Sequence, residues 1–441
     1  MKTTSTSRRV PRMKPLPTRR PVTVSVLDIG STKICSLVAR LRPREGGDEL
    51  LGRTHTMEVL GFGYQRSRGI KSGVVVDIDA AEQAIRLAVD SAERMAGVTI
   101  ESLIVNLTCG RLGSETLSAS VRLDGHEVKE SDIQRVLEAG SQQAAREGGL
   151  VVHSLPIGYA LDGNRGIRDP RAMIGSKLGV DMHVVTADAA PVRNLELTVG
   201  RSHLDVETMV ATPYASGLAA LVDDESELGA ACIDMGGGTT SIAVFCEGQV
   251  VHVDSIAIGG HHVTMDLARG LSTRLQDAER IKTLHGSAIG SALDDHDVLT
   301  VPPVSDDDRD IPHQVPRGTV TKIIRPRVEE ILELVRDRLN ASGYAGRVGK
   351  RIVLTGGASQ LTGLAEVARR VLGRNVRLGR PLGIAGLPEA AKGPGFAAAV
   401  GLLIYPQVAQ IEQFETRQTR HRMTGTEGYL ARFGHWFRES F

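Results

Sequence analysis

Two short stretches of the chain carry the residue types that hold a phosphorylated ligand. Asp28-Ile29-Gly30-Ser31-Thr32-Lys33 follows an apolar, β-branched run, and Asp234-Met235-Gly236-Gly237-Gly238-Thr239-Thr240 follows a second such run roughly 200 residues later. Glycine allows a tight backbone bend and close approach to a ligand. Successive N–H groups in such a turn form a concave anion site, to which Ser31 and Thr32 add hydroxyl donors. Asp28 and Asp234 would repel phosphate unless a cation lay between them. The pair therefore points to a Mg²⁺ held through water by both carboxylates, and these two acids are the candidate catalytic and metal-binding residues. Lys33 supplies a point charge for a β- or γ-phosphate. One glycine-rich hairpin is more often only a hairpin. Two with matching acids, together with the turn Thr355-Gly356-Gly357-Ala358, point to a nucleotide triphosphate.

The elements that must position these turns are legible as hydrophobic patterns. Val22–Gly30 and Ile34–Ala39 read as strands around the first turn, and Ala230–Met235 and Ser241–Phe245 as strands around the second. The match of Leu27-Asp28-Ile29-Gly30 with Ile233-Asp234-Met235-Gly236 implies two lobes related by internal pseudo-symmetry. Asp79–Ala96 has helical spacing, with Asp77 or Asp79 as its cap. A third unit places a strand at Arg351–Thr355, a turn at Gly356-Gly357 and a helix over Leu361–Leu372. Residues 286–318, with their Gly, Pro and Asp306-Asp307-Asp308, read as a loop-rich, mostly solvated excursion. The polar stretch 406–427 reads as a flexible linker.

Bulk properties narrow the classes. The chain has 441 residues, 41% hydrophobic and 24% charged, as expected of a globular protein of two to four domains. With 53 basic and 52 acidic residues, the formal charge is +1, and nothing points to a basic face for nucleic acid. The four cysteines form no CxxC pair. Cys35, Cys232 and Cys246 lie in apolar strand-like runs and are expected to be reduced core residues, not a metal or redox site. The longest apolar run, Phe396–Tyr405, stops at Pro406 and is about half the length that spans a bilayer. Residues 1–20 contain Lys2, Arg8, Arg9, Arg12, Lys14, Arg19 and Arg20 without an acid. They lack the apolar stretch of a secretory signal and read as a disordered basic tail over residues 1–21, the alternative being a weak contact with anionic lipid or a partner.

The carboxy-terminal residues need a separate reading. Tyr429, Leu430, Phe433, Trp436, Phe437 and Phe441 share one face of a helix over 428–441, with Arg432, His435, Arg438 and Glu439 elsewhere. Aromatics are only 3% of the chain, yet its single Trp and three of its seven Phe fall after residue 432. Trp and Phe on one face and Arg on another suit the headgroup boundary of a membrane. The competing reading is a helix docked on the protein itself or in a partner's groove.

These motifs resemble those of the actin/DnaK-chaperone/sugar-kinase superfamily. The turn at 28–33 is similar to its first phosphate loop, that at 234–240 to its second, and Ile352-Val353-Leu354-Thr355-Gly356-Gly357-Ala358 to its adenosine loop. In that superfamily a helical Glu, with a Lys three residues on, flanks adenine and ribose; Glu279 and Lys282 match, although alone such a pair is usually a solvated helix face. Within the superfamily the chain resembles the FtsA cell-division family from residue 22 onward, through Gly69-Ile70-Lys71-Ser72-Gly73, His153-Ser154-Leu155-Pro156-Ile157-Gly158-Tyr159, Leu284-His285-Gly286 and Ile324-Arg325-Pro326-Arg327.

The resemblance implies a two-lobed, actin-like (ribonuclease H-like) α/β fold with an FtsA-type 1C subdomain and the carboxy-terminal amphipathic helix. Subdomain 1A would comprise 22–97 and 186–227, 1C 98–185, 2A 228–258 and 351–405, and 2B 259–350. It also implies ATP with Mg²⁺, weak or no ATPase activity, and self-association into filaments. Further implications are binding of the FtsZ tail by the subdomain that carries Arg327 and Glu330, later divisome proteins on 1C, and residence on the cytoplasmic face of the inner membrane at the division site. A small-molecule kinase of the same fold is the alternative; it needs a base near the γ-phosphate, and Asp28 and Asp234 are already assigned to the metal. A DnaK-type chaperone would need a large β domain, for which too little chain follows Leu403, and the amphipathic tail argues against a pilus-assembly relative.

Overall fold

β1 (Val22–Ile29) is an apolar run that is buried along most of its length, and it pairs antiparallel with β2 (Lys33–Pro43) from Val22↔Leu41 to Ile29↔Ile34. β3 (His55–Arg66) adds antiparallel to β2. A small hairpin, β4 (Ile70–Lys71) and β5 (Val74–Val75), leads into α1 (Ile78–Ala96). Asp77 caps this helix by accepting the Ala80 N–H at 3.1 Å, and Gly97 ends it at φ 66°. Its Ala81, Ala84, Ile85, Ala88 and Ala92 face the sheet. β6 (Ser102–Leu107) returns parallel to β1. The computed structural model describes residues 13–409 apart from 14, 18, 45–52, 109–110, 147–148, 292–293, 295 and 305–311. The linker beyond 409 and the aromatic helix at 428–441 lie outside the described residues.

An inserted unit follows. β7 (Gly113–Arg122), α2 (Glu130–Arg146), β8 (Leu150–Leu161), β9 (Asn164–Ile167) and β10 (Lys177–Ala187) build a sheet of order β7-β10-β8-β9. It has its own core, including Leu117, Leu123, Val136, Leu178 and Val180. The chain then re-enters the first lobe through α3 (Ala189–Arg201) and β11 (Asp205–Ala211), which completes the sheet order β11-β6-β1-β2-β3. α4 (Thr212–Ala220) and α5 (Asp223–Leu228) lead into the second lobe.

The second lobe repeats the first. β12 (Ala230–Met235), β13 (Thr240–Cys246) and β14 (Gln249–Ile256) form an antiparallel run. α6 (Gly260–Gly270), α7 (Leu275–His285), the hairpin β15 (Val298–Val301) and β16 (His313–Pro316), and α8 (Arg317–Ala341) intervene before β17 (Arg351–Thr355), α9 (Leu364–Leu372) and β18 (Asn375–Leu378). β17 pairs parallel to β12, and β18 parallel to β17. The order β14-β13-β12-β17-β18 matches β3-β2-β1-β6-β11 strand for strand. α10 (Ala397–Val408) closes the described chain.

Side chains alternate across a strand, so the second sheet serves two cores. Ala230, Cys232, Ala243 and Phe245 face α4 and α10 in a core shared with the first lobe. Ala231, Ile233, Ile242 and Val244 face the opposite way, onto α6, α8 and α9. Cys35, Cys232 and Cys246 are free and buried, and burial pushes the Cys35 thiol up to about 12.

Several bounds differ from those read in the sequence. Residues 13 and 15–17 are not a loose tail, because Met13 and Leu16 are buried in the first-lobe core. The segment assigned to 1C from residue 98 gives β6 to the first-lobe sheet instead, since this strand supplies the neighbour β1 lacks on its open side. α10, assigned with 2A, packs against α4 and β1, and it continues past Pro406 to Val408. A proline inside a helix loses one hydrogen bond, but all twelve residues of α10 are buried, and that apolar burial holds the last turn. The helix expected over 361–372 begins at Leu364, after a 3₁₀ turn at Gly357–Gln360. The excursion at 286–318 contains the β15–β16 hairpin, with Leu299 and Val301 buried.

Candidate functional site

Both glycine turns sit at the carboxyl ends of the central strands, where open α/β sheets bind ligands. Their local geometry is the same. Gly30 N–H donates to Lys33 O at 2.9 Å, and Gly236 N–H donates to Thr239 O at 2.9 Å. The two turns meet face to face: a Cβ at Gly237 would collide with the Thr32 side chain, and one at Gly238 with Ser31. Only glycine lets the second turn approach the first so closely. Ser31 Oγ also accepts the Gly73 N–H at 3.1 Å, which ties the first turn to the β4–β5 hairpin.

Asp28 and Asp234 end buried strands and are 5% and 8% exposed. Burial raises the Asp28 carboxyl from 3.8 to about 6, against the pull of Lys33, with the charge of Asp234 adding to the rise. Burial also raises Asp234, opposed by a hydrogen bond from Ser216 Oγ and by Lys33. Lys33 is lowered by its own burial, against the opposing pull of Asp28 and Asp234. Two buried carboxylates, both raised by burial and one raised further by the other's charge, are the donor set a cation would neutralise, and they fit a metal held through water. Lys33 Nζ donates to Gly395 O and lies 3.4 Å from the centroid of the Phe396 ring.

The remaining predicted residues converge from the second lobe. Gly356 N–H donates to Pro394 O at 3.1 Å, and Thr355 Oγ1 donates to Pro394 O at 3.1 Å and Gly379 O at 3.2 Å. The start of α6 abuts the second turn: Gly260 N–H donates to Gly236 O at 2.9 Å and His261 N–H to Gly237 O at 2.7 Å. Gly260 in turn faces Ala358. Lys282 Nζ reaches Gly260 O at 3.1 Å, Thr264 Oγ1 at 2.8 Å and Glu279 Oε2 at 2.7 Å. Burial works against ionisation of Glu279, but Lys282 and Thr264 outweigh it and hold the carboxyl below its ordinary range. Thus Asp28, Gly30, Ser31, Thr32, Lys33, Asp234, Gly236, Gly237, Gly238, Thr239, Thr240, Gly356, Gly357 and Ala358 lie on three turns that gather at the junction of the two lobes, with Glu279 and Lys282 joined to it through Gly260.

Arg327 and Glu330 stand apart from it. Arg327 Nε donates to Asp266 Oδ2 at 2.6 Å, which clamps α8 onto α6, and Nη1 donates to Glu330 within α8. The residues of the expected membrane face, Tyr429 to Phe441, fall outside the described residues. Sequence reading missed Asn106, Ser216, Gly395 and Phe396. Buried Asn106 on β6 accepts the Ile29 N–H at 2.6 Å and donates to Thr212 Oγ1 at 3.1 Å, fixing the end of β1 to α4. Gly393-Pro394-Gly395 is a turn signal, the one local hint that this segment bends toward the cleft.

A duplicated five-stranded sheet, with an acidic hairpin from each half meeting the other face to face, defines an actin-like protein. Solved structures agree: the chain superposes on a PilM-PilN type IV pilus biogenesis complex at TM-score 0.57 and 17% identity, covering 89% of this chain and 99% of that one. It superposes on MreB5 of Spiroplasma citri bound to ADP at TM-score 0.53 and 14% identity, over 89% and 98%. The sequence narrows the class. A family profile described as cell division protein FtsA matches residues 231–401, and one described as the SHS2 domain inserted in FTSA matches 110–186. Cell division protein FtsA of Rhizobium meliloti (strain 1021) is 60% identical over 432 residues, 98% of each chain. That of Escherichia coli (strain K12) is 32% identical over 423 residues, 94% of this chain and 97% of the relative. The chain belongs to the FtsA family of actin-like cell-division proteins.

Proposed function

We propose that this protein binds ATP between its two lobes, assembles into filaments in the bound state, and ties the FtsZ ring to the cytoplasmic face of the inner membrane at the division site. The observation that carries the reading is the pair of glycine hairpins meeting beneath two buried carboxylates. Backbone N–H groups of the turns and the hydroxyls of Ser31 and Thr32 would hold phosphate oxygens. Lys33 would exchange Gly395 O and Phe396 for a terminal phosphate. Asp28 and Asp234 would hold Mg²⁺ through water, and the ion would offset phosphate charge when bound. Gly356–Ala358, Glu279 and Lys282 would flank the nucleoside. The nucleotide carried by the MreB5 structure supports this assignment, because that protein shares the fold.

Because the hairpins touch, a triphosphate between them must part them, which gives nucleotide a lever on the angle between lobes. A lobe angle set by nucleotide would select the form that adds to the next subunit. The inserted unit would receive later division proteins, and the region of Arg327 and Glu330 the FtsZ tail or a neighbouring subunit. The aromatic face Tyr429–Phe441 would enter the lipid boundary; no helix of the described residues is long and apolar enough to cross a membrane. A small-molecule kinase is not favoured, because relatives matching 98% of the chain are cell-division proteins. Asp234→Ala and Gly237→Val should each weaken ATP binding by ~10-fold or more, the size of a lost charge-assisted contact, and abolish nucleotide-dependent assembly. Calorimetric titration showing unchanged ATP affinity in both variants would refute the site.

A further inference from the structure

Lys33 is the only basic side chain of the first phosphate turn, and its ammonium is already engaged. Nζ donates to Gly395 O and stands 3.4 Å from the centroid of the Phe396 ring. An ammonium has three N–H donors and no acceptor, so a carbonyl and a ring face take up much of what it can offer. Asp28 and Asp234 favour its charge, while burial disfavours it. A buried cation is costly unless it is paired. Gly395 O and Phe396 are therefore partners that a phosphate must replace, not merely neighbours.

The segment that carries them spans the two lobes. On the second-lobe side, Pro394 O accepts the Gly356 N–H and the Thr355 hydroxyl, both at 3.1 Å, and Gly395 lies against Gly357. On the first-lobe side, the Phe396 ring meets those of Phe62 and Tyr64 at centroid distances of 5.9 Å and 6.2 Å. In the β2–β3 register Leu37 pairs with Phe62 and Cys35 with Tyr64. Cross-strand partners share a face, and side chains alternate along a strand, so Phe62, Tyr64 and Lys33 rise from the same side of the sheet. Phe396 is seated on that side by two rings of β3. Its place is set by contacts other than Lys33, which makes it a fixed seat for the ammonium.

We propose that Gly395 O and the Phe396 ring form an autoinhibitory latch on Lys33, competing with phosphate for its ammonium so that nucleotide binds only by drawing Lys33 off. The proposal rests on the assignment of the glycine turns to phosphate. A bond between two charged groups is stronger than one to a neutral carbonyl, so a triphosphate wins the exchange. It does so at reduced apparent affinity, because the competent form must first be populated. The exchange also breaks the Lys33–Gly395 bond, a polar tie between the first lobe and the turn at Gly356-Gly357. Coupling of this kind is reciprocal: whatever weakens the latch tightens nucleotide binding.

Calorimetric titration of the full-length protein with ATP–Mg²⁺ tests this, with phenylalanine at position 396 replaced by increasingly fluorinated analogues. Fluorine withdraws charge from the ring face and barely alters its shape, so the cation–π contact weakens while the packing is kept. Affinity for ATP should rise along the series, by roughly three- to tenfold for the most fluorinated ring. Phe396→Leu should tighten binding in the same direction. Lys33→Met should weaken it by ~10-fold or more. In that background, changes at position 396 should have no further effect, because there is no ammonium to release. A purely structural role for Phe396 would shift affinity equally in both backgrounds. Flat or falling affinity along the fluorinated series, or an equal gain with and without Lys33, would overturn the latch and leave the phosphate site standing. Unchanged affinity in Lys33→Met would remove the assignment of Lys33 to phosphate, and the latch with it.

Discussion

Ser216 shows how a residue with no motif around it governs one within a motif. It lies on α4, fully buried, and its hydroxyl donates to Asp234 at the end of β12. Without that bond, a carboxyl already disfavoured by burial would ionise less readily. Asp28 depends instead on the charge of Lys33 for relief. A pH dependence follows. A carboxyl raised in the folded state from 3.8 to about 6 binds its proton more tightly when folded than unfolded. Its stabilising effect is complete below 3.8 and is lost as pH rises through about 6, a change of roughly 3 kcal/mol. The ligand-free Asp28→Asn variant should therefore lose less stability than the native chain over that window in denaturant titrations. Parallel curves for the two proteins would mean that Asp28 is already ionised. A cation between the carboxylates would pull the same pKa down, so ATP–Mg²⁺ binding should release a proton near pH 6.

At the level of elements, the strand-turn-strand units were readable because everything that makes them is local: a β-branched run, an acid, and glycine at the bend. Asp77 as a cap and the spacing of α1 were readable for the same reason. Ser216, Asn106, Gly395 and Phe396 were not, because each reaches the cleft from an element whose sequence pattern encodes only its own burial. Phe396, for instance, opens the apolar α10, and nothing next to it signals that Lys33 lies against its ring. The inserted unit likewise has no periodicity that marks it as an insertion. The end of α10 was misplaced because proline is a helix-stop signal in isolation, whereas burial on all sides outweighs it here.

Helix α10 also offers a sharp test of packing. It crosses α4 so closely that a Cβ at Gly401 would collide with the backbone of Ala215. Backbone cannot move aside as a side chain can, so Gly401→Leu should force the helices apart. Overpacking of this kind costs about 1–3 kcal/mol or more, despite the better helix propensity of leucine. Chemical denaturation should show that loss. A neutral or stabilising outcome would mean that α4 and α10 are not in contact as described.

The whole molecule is held by cores of different reach. The core around α4 and α10 takes residues from both sheets, including Leu27 and Ile104 from the first and Cys232, Phe245 and Val353 from the second. Arg377 of β18 adds a tie by bonding Glu225 and, at 2.8 Å, Ala220 O at the junction between lobes. Lobes that share one core should unfold together, so nucleotide-driven motion is a change of angle about α4 and not a separation. The inserted unit differs on one side: Leu123, Val136, Leu178 and their neighbours form a core of their own, while Leu150, Val152, Leu155 and Val185 of β8 and β10 join the shared core. Polar links join it to the rest: Ser114 Oγ to His252 at 3.0 Å and to the Val253 N–H at 3.0 Å, Thr116 to Tyr344 at 3.2 Å, Arg168 to Glu227 at 2.8 Å, and His153 Nε2 accepting the Ala211 N–H at 2.9 Å. Buried contact sets the free energy at which a segment opens. Native-state hydrogen exchange should therefore find the amides of β7, β9 and α2 opening together at a lower free energy than those of β1 and β12, which should exchange only with global unfolding. ATP should raise the protection of β1 and β12 in parallel, by about 2.7 kcal/mol at a hundred times its dissociation constant, and leave the opening of the inserted unit unchanged. One common protection level for all five elements would show that the inserted unit is part of the same cooperative body. Protection of β1 alone by ATP would show that the lobes do not share a core in solution.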